Sequence, residues 1–419
     1  MVSDSTAGSS SVERGRRAIP EDRSHASRGR QLFVLYTSML VTRAGFGSVL
    51  LLFPLYLAVG SFGVGIALAA YPLMELISAA PIGRYVDLKG RRQVLILGLL
   101  SVSLLTMMLS LTRDVYVVSI IHAIMGFSGA AVTVSSLTMI TDLTAVSNRG
   151  IGMGGFDFSN IVGYALGITY ATAILHFTGS HYGLAFIATG ILLLSASILS
   201  LIWIRETSHS STHQRFLVNP LTALDPSTRA ILPLWLGLTS ILGVIFVLPR
   251  SLMETGFRSS QIGLTFSLGA FAVGIGSVIF GRVSDKIGRG KTLGIGVVGL
   301  VLLLFTTLDV ITSAPIRISP RLVLVGLGAF IATATVPSAL AYVGDRADTN
   351  LRGSAMGIYS MILSLGLVIG NLLGGYSTSV GGLRAILEAS AGVLMLSLLA
   401  TLILLYRSGS LRLQQRQPS

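Results

Sequence analysis

The stretch Gly83–Arg92 reads GRYVDLKGRR and returns in altered form as Gly281–Lys291, which reads GRVSDKIGRGK. Each copy follows directly on a long apolar run. Matched polar loops at equivalent places in two halves of a chain indicate an internal duplication. Four residue pairs match at one constant offset: Gly83 with Gly281, Asp87 with Asp285, Gly90 with Gly288, and Arg91 with Arg289.

Long apolar runs surround these loops. A membrane-spanning helix needs about 20 predominantly apolar residues, whereas strands of membrane β-barrels alternate in polarity and are about half as long. Twelve continuous runs reach helical length, divided six and six by the longest polar stretch, Arg205–Arg229. We therefore predict an all-α membrane protein with twelve transmembrane helices in two pseudo-symmetric six-helix bundles. The runs lie near 32–58, 61–82, 93–112, 115–139, 151–176, 183–204, 231–252, 260–280, 292–311, 321–343, 354–378 and 384–406.

A second pair of segments, after the fourth and tenth runs, supports the duplication. Asp142 with the segment NRGIGMG at Asn148–Gly154 corresponds to Asp345 with NLRGSAMG at Asn350–Gly357. Aspartate, arginine and glycine align across this pair at one further constant offset. Two matched pairs of loops indicate that both halves repeat the same order of helices.

Composition supports the membrane assignment. Charged residues make up only 11% of the chain, against about 25% in soluble domains. The formal charge of +13 is spread over short loops between apolar runs, which argues against a nucleic-acid partner and for contact with a lipid bilayer. The 48 glycines suit close helix packing in a membrane. The absence of cysteine excludes disulfides, thiolate metal sites and cysteine nucleophiles.

The distribution of Lys and Arg predicts the orientation. Cytoplasmic loops of membrane proteins carry an excess of these residues. With the N-terminus inside, most of the 30 basic residues fall in cytoplasmic segments. We therefore predict an integral protein of the cell membrane with both termini in the cytoplasm. Six basic residues would face outside: Arg113, Arg250, Arg258, Arg317, Arg321 and Arg384.

The same pattern predicts the segments of the chain. The first 30 residues are rich in Ser and Arg and lack the apolar core of a signal peptide, so we expect a disordered tail. The predicted segments are a cytoplasmic tail at 1–30, an N-terminal bundle at 31–204, a central cytoplasmic loop at 205–229, a C-terminal bundle at 230–406 and a cytoplasmic tail at 407–419.

These loops resemble the signature of the major facilitator superfamily, Gly-x-x-x-Asp-x-x-Gly-Arg-Arg/Lys between the second and third helices. The resemblance extends over about residues 31–406. The first copy fits at Gly83, Asp87, Gly90, Arg91 and Arg92. The second fits at Gly281, Asp285, Gly288 and Arg289, with Lys291 one place late.

The resemblance implies a secondary transporter in which the loop acts as a conformational latch. In the family, the loop aspartate contacts the N-terminus of the eleventh helix, which begins here near Gly353. Aligned peptide dipoles leave about half a positive charge at that helix end. The alternative is that the loop only fixes topology. We favour the latch, because topology alone requires no aspartate.

Two opposite charges lie inside the predicted helices, where an ionisable residue costs at least ~2.5 kcal/mol. Arg43 lies in the first helix, which lines the central cavity in the family, and either binds an anionic or hydroxylated substrate group or pairs with a carboxylate. Glu75 lies well inside the second helix. Because desolvation favours its neutral form, it is the first candidate for proton coupling. The alternative is that Glu75 permanently neutralises Arg43.

Three further polar residues in the spans are weaker candidates. His122 stands where the family often has the arginine of an Arg-x-x-x-Gly pattern, here His122 to Gly126, and we favour a packing role over proton transfer. For Asp157 in the fifth helix we favour a polar contact near the cytoplasmic surface over coupling. Arg250, near the outer end of the seventh helix, either gates the outer mouth or extends to the membrane interface, and we favour the interface.

The remaining motifs argue for transport and against catalysis. The sequence holds no phosphate-binding GxxxxGK[ST] loop and no histidine pair with a third zinc ligand, so we predict no enzyme, no cofactor and no metal. We expect a monomer that exports a small molecule in exchange for protons. The fifth helix, NIVGYALGITYA, lacks the proline common in drug exporters of the family, which leaves uptake of a sugar, organic acid or other metabolite open. A transporter-like receptor or scaffold is the third alternative.

Overall fold

The computed structural model describes residues 21–144, 149–207, 225–312, 320–346 and 352–407. Every regular element in these ranges is a helix. Because lipid offers no partner for backbone N–H and C=O groups, a spanning segment must satisfy them internally, as a helix does. The helices are α1 Glu21–Tyr56, α2 Ser61–Lys89, α3 Arg91–Met108, α4 Val115–Leu143, α5 Arg149–Phe177, α6 Tyr182–Trp203, α7 Pro226–Glu254, α8 Ser259–Ile287, α9 Arg289–Thr312, α10 Pro320–Ala332, α11 Thr335–Arg346 and α12 Arg352–Arg407.

The described residues hold ten helices long and apolar enough to cross a membrane. One of them, Met361–Arg407, has 47 residues, which is enough for two crossings at about 20 residues each. A shorter apolar segment, Val323–Ala339, accounts for the remaining crossing. The predicted fold class is therefore confirmed: an all-α membrane protein with two six-helix bundles.

The tenth span differs from the continuous helix predicted at 321–343. A turn at Thr333 and Ala334 separates α10 from α11, and their N–H groups bond three residues back, to Phe330 and Ile331. The physical reason is Pro337 in the first turn of α11. Proline lacks an N–H and crowds the carbonyl four residues earlier, here that of Thr333, so it starts a new helix at this point.

The eleventh and twelfth spans form one helical element, α12, with a sharp break at Gly381 and Gly382. Gly382 has φ 62° and ψ −150°, a conformation that residues with a side chain rarely adopt. The break lies in the predicted gap between the two spans, so α12 consists of two helices that correspond to the eleventh and twelfth spans.

Two predicted segments differ from the structure at their edges. Helix α1 begins at Glu21, so its first turns lie inside the tail 1–30 that we predicted to be disordered; the residues before Glu21 lie outside the described residues. Helix α7 begins at Pro226, inside the predicted loop 205–229, because Asp225 caps it through the N–H groups of Ser227 and Thr228.

Large apolar side chains cover the outside of the bundles. Phe305 is 73% exposed, Met395 71% and Ile191 57%, although all three lie in the middle of long helices. An exposed apolar surface of this extent is typical of a surface that faces lipid rather than water. The chain is thus an integral membrane protein.

Several contacts join the two bundles at one end of the molecule. We call the end where α1 stops and α2 starts the distal face, and the end that carries the Gly83–Arg92 loop the termini face. Hydrogen bonds and ring contacts connect the bundles at the distal face: Leu57 with Arg250, Ser61 with Glu254, Thr172 with Ser267, Tyr182 with Ser259, and Phe62 with Tyr376. The structure therefore represents a state closed at the distal face.

Candidate functional site

A buried arginine organises the interior of the first bundle. Arg43 on α1 is only 8% exposed, and its guanidinium donates to three neutral acceptors. Nε lies 2.5 Å from Asn160 Oδ1, Nη1 lies 3.3 Å from the Tyr164 hydroxyl, and Nη2 lies 3.1 Å from Thr133 Oγ1. Asn160 and Tyr164 are four residues apart on one face of α5, and Thr133 belongs to α4. Arg43 thus connects three helices through hydrogen bonds that offset the cost of burying its charge.

Aromatic rings flank the guanidinium. Its central carbon lies 5.4 Å from the ring centre of Phe46 and 5.7 Å from that of Tyr164, within the range of cation–π attraction. Tyr71 on α2 packs edge-on against Phe46 at 5.2 Å. The Tyr71 hydroxyl is buried and lies near Arg43. A polar centre beside aromatic faces can bind an organic solute that has an apolar body and a polar group.

Glu75 faces the same cluster from α2. It follows Tyr71 by one helical turn, so both side chains lie on one face. Glu75 is within electrostatic reach of Arg43, yet no ion pair within 4.0 Å joins them. Its half-buried carboxyl makes no hydrogen bond with any described residue. The permanent ion pair that we considered from the sequence is thus absent from this conformation.

Close contact between α1 and α5 assembles the cluster. A Cβ added to Gly163 would lie 2.6 Å from the Cβ of Arg43 and 2.6 Å from the carbonyl oxygen of Leu40. A Cβ added to Gly167 would overlap the backbone of Ala44. Only glycine permits this approach, which is how small residues drive helix association in membranes.

Gly167→Ala is expected to destabilise the protein by about 1–3 kcal/mol, the usual cost of overpacking. The new methyl group must move α1 away from α5, because backbone atoms of Ala44 cannot yield as a flexible side chain can. The apparent melting temperature in detergent should fall. Gly269→Ala on α8 is the matched control, since no atom lies within 4 Å of an added Cβ there. An unchanged melting temperature for Gly167→Ala would contradict the contact.

His122 lies beside the cluster in an aromatic stack. It is 5% exposed, its Nδ1 is 2.8 Å from the carbonyl oxygen of Ala67, and its ring stacks on Phe53 at 4.6 Å. The carbonyl oxygen only accepts, so Nδ1 carries the hydrogen and donates it. These contacts agree with a packing role, which stays a prediction. The side chain of the other weak candidate, Asp157, lies outside the described residues, although its backbone belongs to α5.

A second polar cluster lies at the termini face. The carboxylate of Glu206, just after α6, accepts from the backbone N–H groups of Arg91 and Arg92, each at 3.0 Å. These are the first residues of α3, which has no capping side chain of its own. Gly90 has φ 96°, and an added Cβ would lie 2.7 Å from Glu206 Oε2. Glycine at position 90 thus permits both the positive φ of the turn and the close approach of the Glu206 carboxylate.

Asp142 completes this termini-face cluster. Its Oδ2 lies 3.4 Å from Arg91 Nε and accepts a hydrogen bond from Thr207 Oγ1 at 2.8 Å. Arg92 donates to the carbonyl oxygens of Ile204 at 2.7 Å and Leu201 at 2.8 Å. The loop is therefore attached to the ends of α4 and α6. The side chains of Asp87 and of the first residues of α12 lie outside the described residues, so the predicted latch contact stays a prediction.

The second copy of the loop is built differently. Arg289 forms an ion pair with Asp285 and donates to Ser284 Oγ at 3.1 Å, all within one loop and its flanking helix ends. Gly288 repeats the positive φ of Gly90 at 100°, and Gly281 lies in α8 with open space beside it. The backbone turn is thus shared by both copies.

A sequence profile described as Major Facilitator Superfamily matches residues 32–252 and 236–418, which together span most of the chain. The chain belongs to the major facilitator superfamily. The expectation drawn from the loop signature is thereby confirmed.

Characterised superfamily members are similar at low identity. The inner membrane transport protein YajR of Escherichia coli is 24% identical over 324 residues, covering 75% of this chain and 68% of that protein. Multidrug resistance protein 1 of Bacillus subtilis is 24% identical over 357 residues, covering 82% and 88%. The class E tetracycline resistance protein of Escherichia coli is 26% identical over 332 residues, covering 74% and 76%.

Solved structures of superfamily members share the fold. The human organic anion transporter MFSD10 aligns with a TM-score of 0.64 at 19% identity, covering 89% of this chain and 99% of that one. A bacterial homologue of the human lysosomal transporter Spinster, in an inward-facing unoccupied conformation, aligns with a TM-score of 0.67 at 13% identity, covering 92% and 96%. At these identities the likeness concerns the fold alone.

Sequence reasoning missed most partners of this superfamily member's charged residues. It identified Arg43 and Glu75 but not Thr133, Asn160 or Tyr164. The signal available was the spacing of Asn160 and Tyr164, two polar side chains one turn apart on an otherwise apolar helix. Glu206 was also missed, because it follows α6 by only a few residues and resembles any loop carboxylate.

Glu206→Ala is expected to lower stability by about 1–2 kcal/mol, the range of a helix cap strengthened by the helix dipole. The substitution leaves the first N–H groups of α3 without their acceptor and Gly90 without its neighbour. Thermal unfolding in detergent measures the effect. Glu388→Ala, which removes an exposed carboxylate paired with Arg384 inside α12, is the control. Equal melting temperatures for the two variants would show that Glu206 does not act as a cap.

Proposed function

We propose that this chain is a secondary active transporter that exports small organic solutes in exchange for protons by alternating access. The observation that carries the proposal is Glu75, a carboxyl group in the span that faces Arg43 without bonding to it. Relatives named for multidrug and tetracycline resistance support the direction of transport. The superfamily fold supports transport itself.

The geometry suggests how a proton and a solute would be exchanged. Arg43 is held by acceptors on α4 and α5, whereas the Glu75 carboxyl has no hydrogen-bond partner among the described residues. A proton or a solute group that donates a hydrogen bond or carries positive charge can bind this carboxyl, but not both at once. Such competition makes each ligand reduce the affinity for the other, which is the linkage that exchange requires.

The proposal includes the orientation and the conformational cycle. The excess of Lys and Arg at the termini face supports a cytoplasmic location of both termini in the cell membrane. In that orientation the distal face, which is closed in this structure, is the outer face of the membrane protein. The bundles, which we assign to 31–204 and 230–406 of a monomer, would rock around a site at mid-membrane depth. Solute and proton would shift the populations of the two states through their different affinities.

A thermal-shift panel on the purified protein tests the solute class. Lipophilic drugs, sugars, organic acids and amino acids are each added at two pH values. A ligand at 100 times its dissociation constant stabilises the folded protein by about 2.7 kcal/mol. Export in exchange for protons predicts shifts from lipophilic compounds that grow as pH rises, because fewer protons then compete. Shifts from sugars or organic acids without this pH dependence would contradict the proposal.

Uptake of a metabolite is the second candidate function, and the Arg43 cluster favours it in one respect. Arg43, Asn160 and Tyr164 place several hydrogen-bonding groups together at the level of one helical turn. Such a group of donors and acceptors suits a hydroxylated or anionic solute. Reconstituted liposomes with an imposed proton gradient distinguish the two functions, because exchange and symport move solute in opposite directions relative to the proton.

A further inference from the structure

An ion pair of α7 at the distal face forms hydrogen bonds with the opposite bundle. Arg250 and Glu254 lie one turn apart on α7, with Arg250 Nε 3.0 Å from Glu254 Oε1. Arg250 Nη1 also donates to the carbonyl oxygen of Leu57 at 2.9 Å, and Ser61 Oγ donates to Glu254 Oε2 at 2.8 Å. Leu57 follows the end of α1 and Ser61 begins α2. We call these four residues the distal strap.

The charges of the distal strap match the helix ends that they contact. A helix carries a partial negative charge at its C-terminus and a partial positive charge at its N-terminus. Helix α1 has no basic residue in its last turn, and α2 has neither an acidic residue in its first turn nor a capping side chain. Arg250 supplies the missing cation to α1, and Glu254 supplies the missing anion to α2. Both charges come from the opposite bundle.

Burial makes this arrangement stronger than an ordinary surface ion pair. The side chain of Arg250 is 17% exposed and that of Glu254 38%, whereas Ser61 is 2% exposed. Exposed ion pairs contribute little to stability, because water screens them. The strap adds hydrogen bonds from the mostly buried Arg250 guanidinium and the buried Ser61 hydroxyl, and hydrogen bonds that involve a charged group are the stronger ones. Arg250 thus connects the bundles, instead of extending to the membrane interface as we favoured from the sequence.

We propose that Arg250 and Glu254 are positioning residues of the transport cycle, which hold the distal face closed by completing the ends of α1 and α2. The strap must break each time the distal face opens, so its strength sets how often that state is populated. The inference needs only the rocking of the two bundles and is independent of the solute, the coupling ion and the direction of transport.

The chain offers a matched control for this proposal. Arg384 and Glu388 on α12 also form a pair one turn apart, with Nε 2.7 Å from Oε1. Their side chains are 68% and 52% exposed, and both residues belong to one helix of one bundle. A change that depends on joining the bundles should follow substitution of Arg250 and not of Arg384.

Electron–electron double resonance between two spin labels measures the opening directly. The chain contains no cysteine, so labels attach only at Leu111→Cys and Val380→Cys. These positions are 80% and 69% exposed and lie at the distal ends of different bundles. Arg250→Ala should raise the ratio of long to short label distances by about tenfold or more, the effect of one lost charge-assisted hydrogen bond. Arg384→Ala should leave the ratio unchanged. An unchanged ratio in Arg250→Ala would overturn the proposal.

Two further variants separate the strap from a simple structural ion pair. The swap Arg250→Glu with Glu254→Arg keeps a pair within α7 but puts the wrong charge at each helix end, so the distal face should open as in Arg250→Ala. A swap that stays closed like the parent protein would overturn the role of the helix ends. Ser61→Ala removes only one hydroxyl group, so this variant should fold even if Arg250→Ala does not. It should raise the ratio less than Arg250→Ala, and no rise would count against the proposal.

Discussion

Glu75→Gln is expected to abolish transport driven by a proton gradient while exchange of solute for solute continues. Glutamine has nearly the shape of glutamate but cannot take up or release a proton. The neutral amide resembles the protonated carboxyl beside Arg43, so the bundles can still rock with solute bound. In reconstituted liposomes, solute uptake driven by an imposed pH gradient should fall to the level of liposomes without protein. Counterflow of labelled solute should persist.

The control for this prediction is Glu388→Gln, which neutralises an exposed carboxylate of α12 that is paired with Arg384. It should leave both assays unchanged. Full proton-driven transport by Glu75→Gln would rule out Glu75 as the coupling acid. Loss of both gradient-driven transport and counterflow would assign Glu75 to solute binding or folding instead of coupling.

The charged residues of the site were visible in the sequence for an energetic reason. Ionisable residues inside apolar helices are costly, so they rarely persist without a role. Arg43 and Glu75 each interrupt a long apolar run, and the helix pairing of the superfamily fold then brings them to one cluster. The free-energy cost of a buried charge depends on the residue and the apolar run around it, so one sequence is enough to identify such a residue.

The partners of Arg43 could not be predicted from the sequence. Neutral polar residues cost little free energy in a membrane helix, so their presence does not indicate a role. Thr133 and Tyr164 resemble many other hydroxyl residues of the chain, several of which bond only to the carbonyl four residues back, as Thr169 and Ser128 do. What distinguishes the partners is the rotation of α4 and α5 about their axes. That rotation depends on contacts such as Gly167 against Ala44, which join distant parts of the chain.

The helix count was predictable, whereas the breaks in the helices were only partly so. Hydropathy indicates the length of an apolar run, and it predicted one continuous helix at 321–343. The turn before α11 follows from Pro337, which lies within this apolar run and lowers its mean hydropathy too little to divide it. The helix break at Gly381 and Gly382 lies where the gap between the two apolar runs was predicted. Its form, a helix break without a loop, depends on a positive φ that sequence patterns do not specify.

Arg43→Ala is expected to cause the largest loss of stability among the substitutions considered for the first bundle. It leaves Asn160, Tyr164 and Thr133 without their donor in a buried setting. Each unsatisfied buried polar group costs about 1–3 kcal/mol, and the lost side chain also leaves a cavity between α1 and α5. The apparent melting temperature in detergent should fall further than in Gly167→Ala or Glu206→Ala.

Arg43→Lys separates the charge of Arg43 from its shape. Lysine keeps a positive charge near Glu75, but its compact ammonium cannot reproduce the planar fork that reaches acceptors on two helices. At least one of Asn160, Tyr164 and Thr133 should therefore lose its donor, and the melting temperature should lie between those of the parent protein and Arg43→Ala. A lysine variant as stable as the parent would show that charge alone matters here. One as unstable as Arg43→Ala would show that the charge itself contributes nothing, because only the forked hydrogen bonds would then account for the connection between α1, α4 and α5.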